Sequence, residues 1–359
     1  MKSRHFVVMA AALLILLAAG WLLRRPSPRP AADLAGQAGL VRLPGPGFSS
    51  EKATGIVLSR PAPPVPGGDS GSPPSLELRE VRLIREEGAW KVASSRGAPA
   101  NAAKIGELLA DLSALAGDLQ AEGKSLHPEL GVDEAGALRV EVEYGSGKPL
   151  VVYAGERAGG VYGESYVRLG GEDRVYRVDR DLRRTAGMFS AASPAPAARD
   201  WLDLTLIDLP AGELLRAKLE YPGGPGLVLA REAGEAGGPP GPWKLEAGGA
   251  GDKFKPERLD SWVSAASLVK AEDAADPALA GKAAAAESYS LVLSAAGRPD
   301  LALKVLVDEG RSLAEVSTRP GQLYLLSEGE RNRIFPPAGE FFAEEPPPGE
   351  AEPSGEAEP

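Results

Sequence analysis

Trp90-Lys91, near the end of one β-like stretch, recurs 153 residues later as Trp243-Lys244. The helical pattern that follows carries Ile105, Leu108, Leu109 and Leu112, then again Leu259, Trp262, Val263 and Ala266, each 154 residues on. Further along, Val175-Tyr176-Arg177-Val178 returns as Leu323-Tyr324-Leu325-Leu326 at an offset of 148. Offsets that hold within a few residues mark a duplicated structural unit whose length changes fall in loops. The repeated positions are mostly apolar or aromatic. What is copied is a core, and so a fold, with no visible chemistry in it.

Working outward, Leu138, Val140, Val142 and Tyr144 alternate with Arg139, Glu141 and Glu143, the pattern of a half-buried strand. Gly145-Ser146-Gly147 turns that strand into residues 150–153, and 165–169 with 174–178 form the next hairpin. The second copy answers with 290–293 and 301–307 across Gly297-Arg298-Pro299, then 314–318 with 322–326. Upstream, residues 54–60 and 76–85 read as strands, the latter closed by Trp90. Their counterparts are Ile207-Asp208-Leu209-Pro210 and strands at 214–221 and 227–231. Asn101 is a good N-cap for the first helix, and Pro256 suits the opening turn of the second. Each copy thus predicts the order β-β-α-β-β-β-β. That is an α+β fold of two tandem units, each a mostly antiparallel sheet with one helix packed on one face. The first unit is placed at 45–192 and the second at 199–335, with a Pro/Ala stretch between them. Residues 61–75, PAPPVPGGDSGSPPS, read as a disordered insertion within a hairpin.

Composition narrows the function. With 43% hydrophobic residues in 359, two cores of ordinary size can form. The 44 glycines and 33 prolines predict long turns and irregular stretches beside them. Of the net charge of −10, seven glutamates lie in 336–359, which leaves the remainder near neutral. That segment reads as a disordered, acidic, Pro-rich tail. No basic patch exists, which argues against a nucleic-acid partner. Cysteine is absent, and with it disulfides, thiolate metal sites and a cysteine nucleophile.

The run from Phe6 to Leu23 holds 18 residues without a charge. As a helix it spans about 27 Å, close to the ~30 Å hydrocarbon core of a bilayer. Trp21 sits near one end, where an indole favours the interface. Lys2 and Arg4 precede the run and Arg24, Arg25 and Arg29 follow it, so charge alone leaves its orientation open. A cleaved export signal, cut near Ala18-Ala19-Gly20, is the alternative to an uncleaved anchor at 1–25. Hydrophobicity continuing through Trp21-Leu22-Leu23 favours the anchor, and residues 26–44 then form a flexible Pro/Ala/Gly linker. Either way the remainder is exported. The expected location is the inner (cytoplasmic) membrane, single-pass, with the bulk of the chain in the periplasm.

Four phrases carry a resemblance: Gly131-Val132-Asp133, Tyr166-Val167-Arg168-Leu169-Gly170-Gly171, Arg174-Val175-Tyr176-Arg177-Val178-Asp179, and Arg199-Asp200-Trp201-Leu202-Asp203. In these, over roughly residues 45–335, the chain resembles the bacterial domain of unknown function 4340 family. The resemblance implies a hydrophobic anchor, repeated β-rich units with a helix, and company with transporter components of the ATP-binding-cassette type. It implies no catalytic residues.

Other motifs carry residues that chemistry could use. Gly68-Asp69-Ser70-Gly71-Ser72-Pro73 looks like the nucleophile loop of trypsin-like proteases, but His127 lies after the serine and His5 beside the apolar run. His127 has no second ordered histidine with which to build a metal site. Glu141 and Glu143 share a strand face with Arg139 and read as a solvated outer face. Asp179-Arg180-Asp181 with Arg183-Arg184 reads as a charged helix start, and Gly159-Gly160-Val161-Tyr162-Gly163 as a hairpin loop. Trp90, Trp201, Trp243 and Trp262 could form a sugar platform, but strand-end positions favour the core. The sequence therefore predicts a non-enzymatic protein without metal or cofactor. It is expected to be an accessory or scaffold of a bacterial envelope complex, and the resemblance implies company with a transporter. The alternative is a module that binds an envelope polymer or small ligand in the cleft between the units.

Overall fold

Period-two alternation dominates this chain, and it is realised as antiparallel sheet. A computed structural model describes residues 40–61, 78–189, 195–279 and 287–342, apart from 46, 146, 161–162, 235–239, 249–253 and 257–258. The apolar run, most of the linker, residues 62–77 and residues 343–359 lie outside the described residues. Strands before residue 197 are β1 (Val41–Arg42), β2 (Ala53–Pro61), β3 (Leu78–Glu86), β4 (Ala89–Val92), β5 (Ala98–Pro99), β6 (Ala116–Ala121), β7 (Leu138–Tyr144), β8 (Leu150–Arg157), β9 (Ser165–Leu169) and β10 (Val175–Val178). Those after it are β11 (Thr205–Asp208), β12 (Leu214–Glu220), β13 (Leu227–Ala230), β14 (Lys244–Ala247), β15 (Leu268–Lys270), β16 (Asp273–Ala275), β17 (Glu287–Ala295), β18 (Leu301–Asp308), β19 (Arg311–Val316) and β20 (Leu323–Leu326). The helices are α1 (Ala102–Ser113), α2 (Leu182–Thr185), α3 (Leu259–Ser267) and α4 (Glu328–Ile334). The architecture is α+β, mostly antiparallel sheet with few helices.

Packing divides the described residues into two units: those up to Glu80 with those from Gly106 to Pro196, and Val81–Ile105 with those from Ala197 onward. The sequence predicted two continuous blocks, so residues 81–105 are a correction. They pack with the second block because the backbone ties them there. Ala100 bridges Leu202, the Asn101 amide donates to the Trp201 carbonyl at 2.8 Å, and the Asp203 amide donates to the Pro99 carbonyl at 2.9 Å.

In the first unit the strands follow the order β1-β6-β10-β9-β8-β7-β2. Ile56 faces Val142, Leu58 faces Val140, and Val140 faces Val152. Residues directly opposite in a ladder point to one face, so these buried side chains make a continuous apolar layer. α1 buries Ile105, Leu108, Leu109 and Leu112, the stripe that its spacing predicted. Asn101 caps it, the Lys104 amide donating to Oδ1 at 3.1 Å.

In the second unit the order is β14-β13-β12-β17-β18-β19-β20-β16, with β11 and β15 as a separate pair. Leu259, Trp262, Val263 and Ala266 of α3 join one core with Ala217, Leu219, Leu291, Leu293, Leu303 and Val305 of the sheet. The run β6-β10-β9-β8-β7-β2 in one unit has the same connections as β16-β20-β19-β18-β17-β12 in the other. A matching bond precedes each sheet: Leu43 donates to the Leu115 carbonyl at 3.0 Å, and Leu209 to the Ser267 carbonyl at 2.8 Å. The shared Leu-Pro at Leu43-Pro44 and Leu209-Pro210 was a signal that the sequence reading left unused.

Other expectations need adjusting. Trp90 does not close β3; a turn with positive φ at Glu87 and Gly88 intervenes, and Trp90 sits half-buried in β4. Neither unit has a single helix: α2 opens at the charged helix start read at Asp179-Arg180-Asp181, with Asp181 as its cap, and α4 was not foreseen. α4 carries its own sequence sign: Ser327 accepts from the Glu330 amide at 3.1 Å, an N-cap followed by an acidic residue three positions on. The acidic tail was placed from residue 336, yet 336–342 packs. Phe341 is buried, edge-on to Trp262 with ring centres 5.7 Å apart, and the core continues through it. Among the described residues no helix is long and apolar enough to cross a membrane.

Asn101→Ala should remove the cap of α1 and cost about 1 kcal/mol in urea unfolding. An unchanged midpoint would show that tertiary packing alone holds the helix.

Candidate functional site

The family-like phrases are where chemistry would be sought first; one of them is strand β10, and the other three brace the fold. Trp201 is fully buried, with the Lys104 ammonium 4.5 Å above its ring centre. The same ammonium donates to the Asp200 carbonyl at 3.0 Å. Asp203 is gripped by Arg319: Nη1 donates to its carbonyl at 2.7 Å and Nη2 pairs with its carboxylate. Arg319 also donates to the buried Tyr324 hydroxyl at 3.2 Å. Arg199-Asp200-Trp201-Leu202-Asp203 is therefore a clasp.

The phrases of the first unit behave likewise. Arg168 is buried over the Tyr153 ring at 4.1 Å and donates to the Val132 carbonyl at 3.1 Å and the Glu172 carbonyl at 3.2 Å. Gly131 has φ +65, and a Cβ on Gly155 would stand 2.4 Å from the Leu130 carbonyl oxygen. These two glycines let the loop through Val132 lie against β8.

The remaining candidates separate clearly. His127 is buried in that loop, its Nε2 3.0 Å from the Asp173 carbonyl, where it holds one turn to another. Glu141 is ion-paired with Arg139 on the outer sheet face, and Glu143 is exposed. Gly159 and Gly163, both at positive φ, belong to the connection between β8 and β9, and Val161-Tyr162 lies outside the described residues. Gly68-Asp69-Ser70-Gly71-Ser72-Pro73 lies outside them too. Trp201, Trp243 and Trp262 are buried and Trp90 half-buried, so no sugar platform forms from them. Among the described residues no cluster of three or more histidine, aspartate or glutamate side chains is placed to hold a metal ion.

Two clefts stand out instead. One, of about 390 Å³, opens on the outer sheet face of the second unit. Across its floor Glu220 faces Ser290, Ser290 faces Lys304 and Lys304 faces Glu315, so one lysine lies between a serine and a glutamate. The other, of about 270 Å³, lies in the first unit between the end of β8 and the segment through α2. Its walls are Gly155, Glu156, Arg157, Asp181, Arg183, Met188 and Phe189. Asp181 caps α2, accepting from the Arg184 amide at 3.0 Å through Oδ1, and it takes Arg157 Nε at 3.3 Å through Oδ2. Arg183 is only 6% exposed. Burial, and after it the Arg60 guanidinium, pushes its pKa below the ordinary arginine value, while Glu156 and Asp181 act the other way. The sequence reading found this charged run but not the burial of Arg183. No local pattern carries that signal.

Beside the cleft, Asp111 accepts from the Thr185 hydroxyl at 3.0 Å and lies 3.4 Å from Arg180. Burial raises its carboxyl above the ordinary value, and the Thr185 hydrogen bond and the Arg180 charge offset part of this.

A family model described as domain of unknown function (DUF4340) matches residues 90–292, more than half of the chain and inclusive of all four phrases. No curated protein and no solved structure matches the chain.

Trp201→Ala should destabilise the protein by about 3–5 kcal/mol, the usual cost of emptying a large aromatic site, as read by chemical denaturation. For Asp111 the sign follows from a folded pKa above the unfolded one. Its stabilising contribution is complete below the unfolded value near 3.8 and is lost as pH rises through the folded value. Asp111→Asn, which keeps an acceptor for Thr185 but no charge, should therefore gain on the wild type as pH rises through that window. Parallel stability curves for the two proteins would refute the assignment.

Proposed function

The chain belongs to the DUF4340 family, and on that premise we propose a membrane-anchored, extracytoplasmic accessory protein of a bacterial envelope complex, without catalytic activity of its own. The observation that carries this reading is the uncharged run from Phe6 to Leu23 ahead of two sheet-built units. A stretch of that length and composition matches a bilayer core. The units behind it are held by clasps and braces, with the charged motif residues spent on backbone carbonyls and ion pairs. Outer sheet faces and clefts are then the surfaces left for partners, a transporter component among them.

The same reading takes the two units as copies of one ancestral module. Support comes from the common strand order, the paired Leu-Pro entries and the parallel helix stripes Ile105/Leu108/Leu109/Leu112 and Leu259/Trp262/Val263/Ala266. A binding module for an envelope polymer or small ligand is the second reading. It is favoured by a specific observation, the cleft that each unit carries.

In fractionated cells the full chain should sediment with membranes and resist alkaline carbonate, while a chain lacking residues 1–25 should not. Protease added to spheroplasts should digest the bulk of the full chain. Recovery of the full chain in the soluble fraction, or its protection in spheroplasts, would end the proposal. Pull-down from detergent extracts should bring a membrane protein with it.

A further inference from the structure

The larger cleft, about 390 Å³ on the outer sheet face of the second unit, has a floor built by strand register. Side chains that stand opposite one another in neighbouring strands share a face. Glu220 of β12, Ser290 of β17, Lys304 of β18 and Glu315 of β19 therefore form one row across the sheet. Strand spacings of about 4.8 Å make that row about 14 Å long. Further along β18 the same face is closed, because Leu306 packs against the cluster of Ala275, Leu313 and Leu323. The open part is polar, with Pro320 of the turn after β19 lining it.

The polar groups of this row keep hydrogen-bonding capacity that the fold does not use. Lys304 stands directly opposite Glu315, yet among the described residues its ammonium makes no ion pair or hydrogen bond. Glu315 is tethered through one oxygen, Oε1 accepting from the Gly321 amide at 3.2 Å. The hydroxyls of Ser288 and Ser290 have no partner among the described residues. Ser317 Oγ accepts from the Ala302 amide at 3.0 Å, which leaves its proton to donate. Glu220 is paired with Lys218 at 2.6 Å. An ammonium only donates, a carboxylate only accepts, and a hydroxyl does both. A ligand that answers all of them carries groups that each donate and accept. An anion would be repelled by Glu315 and Glu220, and a cation by Lys304.

We propose that this cleft binds a neutral oligosaccharide laid across the four strands. A sugar hydroxyl set between Lys304 and Glu315 accepts from the ammonium and donates to the carboxylate, so one group satisfies both. The serine hydroxyls continue the pattern, and Ala302 and Pro320 offer apolar surface to the C–H face of a ring. The row is longer than one sugar ring, which selects a short chain over a monosaccharide. The cleft volume is that of an ordinary small-ligand site. The proposal deepens the binding-module reading given above and rests on it, and every group it uses belongs to the second unit.

The test uses the full-length protein in a polyoxyethylene detergent, which carries no sugar of its own. Calorimetry should detect at least one of maltotriose, cellotriose and triacetylchitotriose. Its affinity should exceed that of the matching monosaccharide by at least about tenfold, equivalent to ~1.4 kcal/mol. Trigalacturonate, an anion, and glycine, a zwitterion able to pair with Lys304 and Glu315 directly, should both bind more weakly. Because the ligand is neutral, its affinity should hold nearly constant as salt rises. Lys304→Met should weaken binding about tenfold or more. Glu315→Gln, which keeps an acceptor for Gly321, should weaken it several-fold. Both variants should unfold at the wild-type temperature when no sugar is present. Lys148→Met, in the first unit, should leave binding unchanged. Trisaccharide binding that survives both substitutions would keep a binding module but overturn this site. Tighter binding of trigalacturonate or glycine would overturn the ligand class, and binding of none of the trisaccharides at millimolar concentration would overturn the proposal outright.

Discussion

The clasp around Trp201 is the constraint on which the second unit depends. A buried indole needs close packing on every side, and here the neighbours come from segments a hundred residues apart. Lys104 lies over the ring and holds the Asp200 carbonyl, Asn101 and Pro99 hydrogen-bond the backbone on either side, and Arg319 closes on Asp203. The Lys104 contact serves two ends at once, since its stem covers apolar surface while its head satisfies a carbonyl. Because these bonds draw residues 81–105 into the second unit, the contact units are not continuous in sequence.

The first unit solves a similar problem with different parts. Its outer sheet face is partly covered by the loop through His127 and Val132. Arg168, laid on Tyr153, supplies the donors that the loop's carbonyls need. Glycine at 131 and 155 makes the close approach possible. Polar residues that resemble a site when read in a line are thus used for satisfaction of buried backbone, the commonest use of side-chain hydrogen bonds.

That division of labour shapes the functional reading. Motif residues brace each unit internally, and the surfaces that remain differ between them. The second unit offers a sheet face carrying Glu220, Lys304 and Glu315, while the first offers a cleft walled by two arginines, two carboxylates and Phe189. In the accessory role proposed above, distinct surfaces on the two units would meet different partners.

Local patterns carried most of the fold. The alternation from Leu138 to Tyr144, the stripe Ile105/Leu108/Leu109/Leu112 and the cap at Asn101 were legible because strand and helix periodicities are properties of neighbouring residues. So was the apolar run, a property of composition alone. What only the tertiary structure decided was which distant segments meet: the capture of 81–105 by the Trp201 clasp, the packing of Phe341 on Trp262, and the burial of Arg183 beside Glu156 and within reach of Arg60. Arg183 and Arg184 are adjacent and chemically identical, yet one is buried and the other exposed. Successive residues of a helix point in different directions, and the side that meets the protein is set by contacts far away in the chain.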